Sequence, residues 1–155
     1  MRKFIPGSLL ILLPAILLCL LSCTQGSCFE ETECYVKASF YDNVTKTLHA
    51  PDSLTLYGLN NDSLIYNSTS GVQPALIPLD ASTDSCTFVI MLNGITDTIE
   101  FRYNSSPHLI SKECGYTFYH HLDTVFPIKH HAIKDIFISN NTATNLNVEN
   151  IRIFY

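Results

Sequence analysis

The chain has 155 residues, with 14 acidic side chains against nine basic ones, six cysteines, nine phenylalanines, eight tyrosines and no tryptophan. A formal charge of −5 with no basic cluster excludes an electrostatic nucleic-acid binder. The length allows one domain with a substantial core.

Arg2 and Lys3 precede a run from Phe4 to Leu21 that is apolar except for Gly7, Ser8 and two prolines. A short basic end, an apolar middle and a small residue before the exit make residues 1–22 a secretory signal peptide. A spanning helix fits less well, because it needs roughly 20 apolar residues and Pro6 and Pro14 would disturb its interior.

At the exit, Leu20-Leu21-Ser22-Cys23 resembles the bacterial lipobox. The resemblance implies that Cys23 receives a diacylglyceryl thioether, that the peptide is cut before it, and that the new amine is acylated. Cys19 follows Leu18 where a small residue is wanted, and reads as filler of the signal core. The competing reading of Cys23 is a disulfide thiol beyond an ordinary cleavage site. Lipid anchoring gains about 0.8 kcal/mol per buried methylene, so several acyl chains would hold the protein on a membrane without a spanning element.

Without residues 1–22 the exported chain loses Arg2 and Lys3, leaving seven basic against 14 acidic residues. An acidic body is mildly repelled by an anionic leaflet, so attachment falls to the lipid. Residues 23–33 read as a polar tether, and residues 34–155 as one β-domain. Cys28, Cys34, Cys86 and Cys114 are an even set in an oxidising compartment, which predicts two disulfides of undetermined pairing. They contain no C-x₂₋₄-C pair, which argues against zinc.

In "CYVKASFY", Val36, Ala38 and Phe40 alternate with Tyr35, Lys37 and Ser39, the period of a half-buried strand with the lysine face in water. "DSLTLYGLNNDSLIYN" places Asn60-Asn61 between two apolar runs and predicts a hairpin. In "CTFVIMLNGITDTIEFRY", Asn93-Gly94 predicts a type I′ turn, since both residues tolerate positive φ. Ile99, Phe101 and Tyr103 then share one face, and Thr98, Glu100 and Arg102 the other. Further strands are expected at Tyr116–Leu122, Ile133–Ser139 and Asn150–Tyr155, with turns at "NSSP" and "SNNTATN". Short strands at this spacing predict an all-β, antiparallel β-sandwich of immunoglobulin-like shape. A transmembrane barrel would need longer strands with lipid-facing girdles.

The candidate chemistry is sparse. His120, His121, Asp123, His130 and His131 fall within a short stretch. On a strand His120 and His121 point to opposite faces, so a metal site would use His121, Asp123 and a loop histidine such as His130. Surface or partly buried histidines are the plainer reading. No G-x-S-x-G elbow occurs, and Cys114 in "KECGY" reads as a disulfide cysteine with Gly115 easing a strand start. The phenylalanines and tyrosines offer stacking surfaces for sugars, though most fall where core or cross-strand packing explains them.

Asp52-Ser53-Leu54, Asp62-Ser63-Leu64, Asp97-Thr98-Ile99 and Asp123-Thr124-Val125 resemble the acceptor triplet for general O-glycosylation of exported Bacteroidetes proteins. That makes Ser53, Ser63, Thr98 and Thr124 candidate acceptors. The same triplets also suit a turn that opens into a strand.

Together "PDSLTLYGLNNDSLIYN", "NGITDTIEFRYN", "LISKECGYTFYHHLDTV" and "NVENIRIFY" resemble small Bacteroidetes lipoproteins grouped only as a domain of unknown function. The resemblance covers the exported chain. It implies a lipid-anchored envelope protein with no enzymatic role and no cofactor, and a second envelope protein as partner. Thr24 and Gln25 stand where an inner-membrane retention signal would place aspartate, so the outer membrane is expected and its face stays open. The expected activity is binding or assembly; the alternatives are a metal-dependent hydrolase and a glycan-binding accessory module.

Overall fold

The computed structural model describes residues 28–61 and 63–155. The signal-peptide region 1–22, Cys23, the start of the tether and Asp62 lie outside the described residues. Ten strands follow in chain order: β1 Tyr35–Tyr41, β2 Leu54–Gly58, β3 Leu64–Thr69, β4 Ala75–Pro78, β5 Ser85–Leu92, β6 Ile95–Ser111, β7 Gly115–Pro127, β8 Asp135–Ile138, β9 Thr142–Ala143 and β10 Ile151–Phe154. No helix occurs among the described residues, and none there is long and apolar enough to cross a membrane.

The strands form two sheets, one of order β4-β1-β10-β8 and one of order β3-β2-β5-β6-β7-β9. The all-β expectation holds, with one departure from strict antiparallel pairing: β1 and β10 run parallel, from Ala38↔Ile151 to Tyr41↔Phe154. These strands come from opposite ends of the domain, so no hairpin fixes their relative direction.

One core joins the two sheets. Val36, Ala38 and Phe40 of β1, Ala75 and Ile77 of β4, and Ile151 and Ile153 of β10 belong to the same buried cluster as Leu54 and Leu56 of β2. Phe88 and Ile90 of β5, Ile99, Phe101 and Tyr103 of β6, Leu122 and Val125 of β7 and Ala143 of β9 also belong to it. Phe88 meets Phe101 edge to face, with centroids 5.7 Å apart, a favourable quadrupolar geometry. The Asn93-Gly94 hairpin is present, with φ of 51° and 85° and Leu92 opposite Ile95. Its predicted inward face, Ile99, Phe101 and Tyr103, is fully buried. The Asn60-Asn61 hairpin also forms, joining β2 to β3.

Three expectations change. Lys37 and Ser39 are buried along with their neighbours on β1, a strand flanked on both sides by β4 and β10, and the Lys37 side lines a cleft with Glu31 and Glu33 of the tether, Leu76 and Asn145. Asn150, just before β10, extends the pairing along the sheet: its amide donates to the Lys37 carbonyl at 2.9 Å, and its side-chain oxygen accepts the Lys37 amide at 3.0 Å. Burial accordingly holds the Lys37 ammonium below its ordinary pKa.

Second, "NSSP" is no turn. It lies inside β6, which runs for 17 residues and stays paired with β7 as far as Ser111↔Gly115. β5 accompanies β6 only to Ser85↔Arg102. Beyond that point one side of β6 is open, so Pro107 removes no ladder hydrogen bond. The register shifts between Arg102 and Tyr103, a bulge where the β6–β7 ribbon leaves the body of the sheet.

Third, the described residues hold one disulfide rather than two. Cys28 is bonded to Cys114, while Cys34 and Cys86 are free thiols. Cys34 precedes β1 of the four-stranded sheet, whereas Cys86 lies in β5 of the other.

Asp97 has a structural role that the sequence did not announce. Buried in β6, its carboxylate accepts the backbone amides of His131 at 3.0 Å, Ala132 at 2.7 Å and Ile133 at 2.8 Å. One side chain thus satisfies three donors of the loop between β7 and β8, whose burial would otherwise be costly.

Candidate functional site

Three places carry polar chemistry or unpartnered surface: the tip of the β6–β7 ribbon, the fork where that ribbon leaves β5, and the histidine-bearing stretch of β7 and its following loop.

At the tip, the chain turns from Ser111 to Gly115. Gly115 has a φ of 76°, a backbone conformation that side-chain-bearing residues rarely adopt, and Ser111 Oγ accepts the Cys114 amide at 3.0 Å. This geometry presents Cys114 to Cys28, whose Cα lies 4.8 Å away after a separation of 86 residues. From there the tether runs back toward β1. Thr117 Oγ1 donates to the Thr32 carbonyl at 2.7 Å, and Asn145 Nδ2 donates to the Glu31 carbonyl at 3.0 Å. Tyr119 in turn donates to Asn145 Oδ1 at 2.8 Å, and Cys34 Sγ lies 3.5 Å from Thr117 Oγ1. The tether is therefore clamped by one covalent bond and a short hydrogen-bonded track rather than by the core.

The ribbon's two faces differ. On one, His108 stacks on Tyr119 at 4.0 Å, and Thr117 holds the tether. On the other, Leu109 faces Tyr116 and Pro107 faces Phe118 across the ladder, with Tyr116 72% exposed, Leu109 47% and Phe118 44%. Phe29, next to the bridged Cys28, is 93% exposed.

At the fork lie two adjoining open clefts. One, of about 560 Å³, is lined by Ser82, Thr83, Asp84, Tyr103, Asn104 and Ser105. The other, of about 440 Å³, adds Glu100, Arg102 and Asp123. Arg102 Nε donates to Glu100 Oε1 at 2.8 Å, and Asn104 Nδ2 to Asp123 Oδ2 at 2.9 Å. Tyr103 donates to the Asp80 carbonyl at 2.8 Å, and burial pushes its phenol up to about 12. Burial likewise pushes the Cys86 thiol up to about 11, so Cys86 is an uncharged thiol at neutral pH and a poor nucleophile.

Behind the first cleft, Ser105 Oγ lies 2.9 Å from His120 Nδ1, a directly opposed cross-strand pair that sequence spacing did not suggest. His120 is buried, packs edge to face on Tyr103 at 5.6 Å, and is held by desolvation below its ordinary pKa. Among the described residues no carboxylate hydrogen-bonds to His120. The pair thus has a hydroxyl and a base but no orienting third group, and it serves as mutual satisfaction of two enclosed polar groups.

The candidate metal ligands do not assemble. His120 and His121 point to opposite faces as the strand period requires, one buried and the other exposed. His121 Nε2 lies 3.4 Å from Asn141 Nδ2, Asp123 is engaged by Asn104, and His130 is exposed in the loop after β7. His131 turns its ring to the Thr96 carbonyl at 3.1 Å. No group of three His, Cys, Asp or Glu side chains among the described residues is placed to hold a metal ion. Of the candidate acceptors, Ser63 and Thr124 are exposed, whereas Ser53 and Thr98 are half-buried. Thr98 lies between β5 and the chain at Ile128, whose amide donates to its carbonyl at 2.7 Å.

These features define an all-β domain of two sheets with a disulfide-clamped N-terminal tether and no assembled metal centre among the described residues. The chain belongs to a family of unknown function, DUF6452, whose model matches residues 53–155. Comparison with curated proteins and with solved structures gives no significant match.

Proposed function

We propose that the protein is a lipid-anchored envelope protein of a Bacteroidetes-type bacterium, acting by binding or assembly at the outer membrane. The observation that carries this reading is the succession of a basic end, an apolar run and Leu20-Leu21-Ser22-Cys23, followed five residues later by a cysteine in a disulfide. A disulfide belongs to an oxidising compartment outside the cytosol, which is where a lipobox would deliver the chain. In this reading the domain is a β-sandwich of immunoglobulin-like shape, a description supported by two sheets sharing one core.

Binding is favoured over metal-dependent hydrolysis because His121, Asp123 and His130 do not converge. Replacing Cys23 by serine tests the anchor: the Cys23→Ser protein is expected in the soluble fraction, without mass-detectable acylation. Unchanged membrane partition would overturn the reading. Crosslinking in the native envelope then identifies the partner.

A further inference from the structure

The apolar stripe of the ribbon is exposed among the described residues, and the chain's own connectivity determines what lies near it. Leu109, Tyr116, Pro107 and Phe118 continue the inward-facing register of β6 and β7 past Tyr103↔Leu122 and Ser105↔His120, into a region that the core does not cover. The tether occupies the other face, through Thr117. Cys28 is bonded to Cys114, two residues before Tyr116. Only residues 24–27 separate Cys28 from Cys23, and five extended residues span at most about 18 Å. An acylated Cys23 lies in the headgroup region, so the ribbon tip is held within that distance of the bilayer surface.

We propose that the Leu109, Tyr116 and Phe118 stripe seats in the interfacial region of the membrane that holds the lipid anchor. The inference rests on the lipid-anchor reading above. Aromatic side chains partition to that interface, and apolar area buried there adds to the hold of the acyl chains. Glu30, Glu31 and Glu33 of the tether and Glu113 at the tip, against Lys112 alone, favour a zwitterionic surface over an anionic one. The disulfide then acts as a positioning device: it turns a flexible leash into a mount that sets which end of the domain faces the lipid.

The test exploits the absence of tryptophan. Full-length, acylated Tyr116→Trp protein is reconstituted into phosphatidylcholine vesicles whose acyl chains carry bromine, a short-range quencher of indole fluorescence. An Ile95→Trp variant reports from the other end of β6, some 14 residues or roughly 45 Å along an untwisted strand. The expected result is a blue-shifted, quenched indole at position 116 and an unquenched one at position 95. Adding Cys28→Ala and Cys114→Ala to the Tyr116→Trp protein is expected to reduce that quenching while membrane partition stays the same. Membrane-bound protein with an unquenched indole at 116 would overturn the proposal and leave the anchor intact; concentration-dependent pairing in that case would identify a second copy as the occupant. A wild-type chain that fractionates as soluble and unacylated removes the anchor and the proposal together.

Discussion

The two halves of the β6–β7 ladder are built from the same two strands, yet they are held in different ways. From Ile99 to Arg102, β6 has β5 on one side, β7 on the other, and a buried face, continued by Tyr103, that meets the opposite sheet. Beyond Arg102 it has β7 alone; past the buried His120 opposite Ser105 no core lies behind it among the described residues, and a disulfide closes its end. Backbone pairing continues unbroken across the boundary apart from a single register shift. What changes at the fork is the source of side-chain stabilisation: apolar burial gives way to a covalent clamp. An isolated two-stranded ribbon is marginal in water, so the clamp and the hydrogen bonds along the tether do in the distal half what hydrophobic contact does in the proximal half.

Paired substitutions sharpen that contrast most. Phe101→Ala, in the buried half, is expected to destabilise the domain by about 3 to 5 kcal/mol. Phe118→Ala, in the exposed half, is expected to cost under about 1 kcal/mol. Urea unfolding of the two variants measures both, and comparable losses would mean that the distal ribbon is packed rather than clamped. Next in size, removing the Cys28–Cys114 bond by the double alanine substitution is expected to cost roughly 2 to 4 kcal/mol. Amide exchange should quicken at residues 28–34 and along the distal ladder before it does in β5.

The smallest effect distinguishes the halves by pH. Cys86 sits on the buried side of the fork, and burial raises its thiol in the folded protein from 9.0 to about 11. The unfolded chain therefore releases this proton first as pH rises. Stability is unaffected below about pH 9, falls between 9 and 11, and levels off once the folded thiol also ionises. Cys86→Ala should flatten that part of the melting-temperature profile against pH, and an unchanged profile would remove the assignment to this thiol.

Much of the proximal half is legible in the sequence, because there the local and global signals agree. Asn93-Gly94 supplies two positive-φ positions, and the alternation after it matches the single face that the core requires. The distal half misleads for physical reasons. Serine and proline at 105–107 are turn formers in general, but on a strand that has lost one neighbour their usual penalty disappears. Lys37 shows the converse failure: alternation marks it as a wet residue, yet it is enclosed by segments far off in the chain, among them the tether at Glu31 and Glu33 and the loop at Asn145. An even number of cysteines suggested two bridges, yet pairing depends on which segments end side by side, and Cys34 stands just before β1 of one sheet while Cys86 lies in β5 of the other. Proximity along the chain offered the histidines as a metal set, with surface or partly buried histidines as the plainer reading; in the fold the loop at 131–133 is committed to Asp97. Ser105 and His120 were brought together by ladder register, for which the sequence carries no local signal.

The parallel pairing of β1 with β10 bears on how such a chain matures. β10 lies between β1 and β8 in its sheet, so β8 has no place to pair until residues 151–154 have arrived. A chain that becomes available from its N-terminal end holds this sheet open until β10 arrives. The fold then locks as one late, long-range event of the kind that high contact order makes slow.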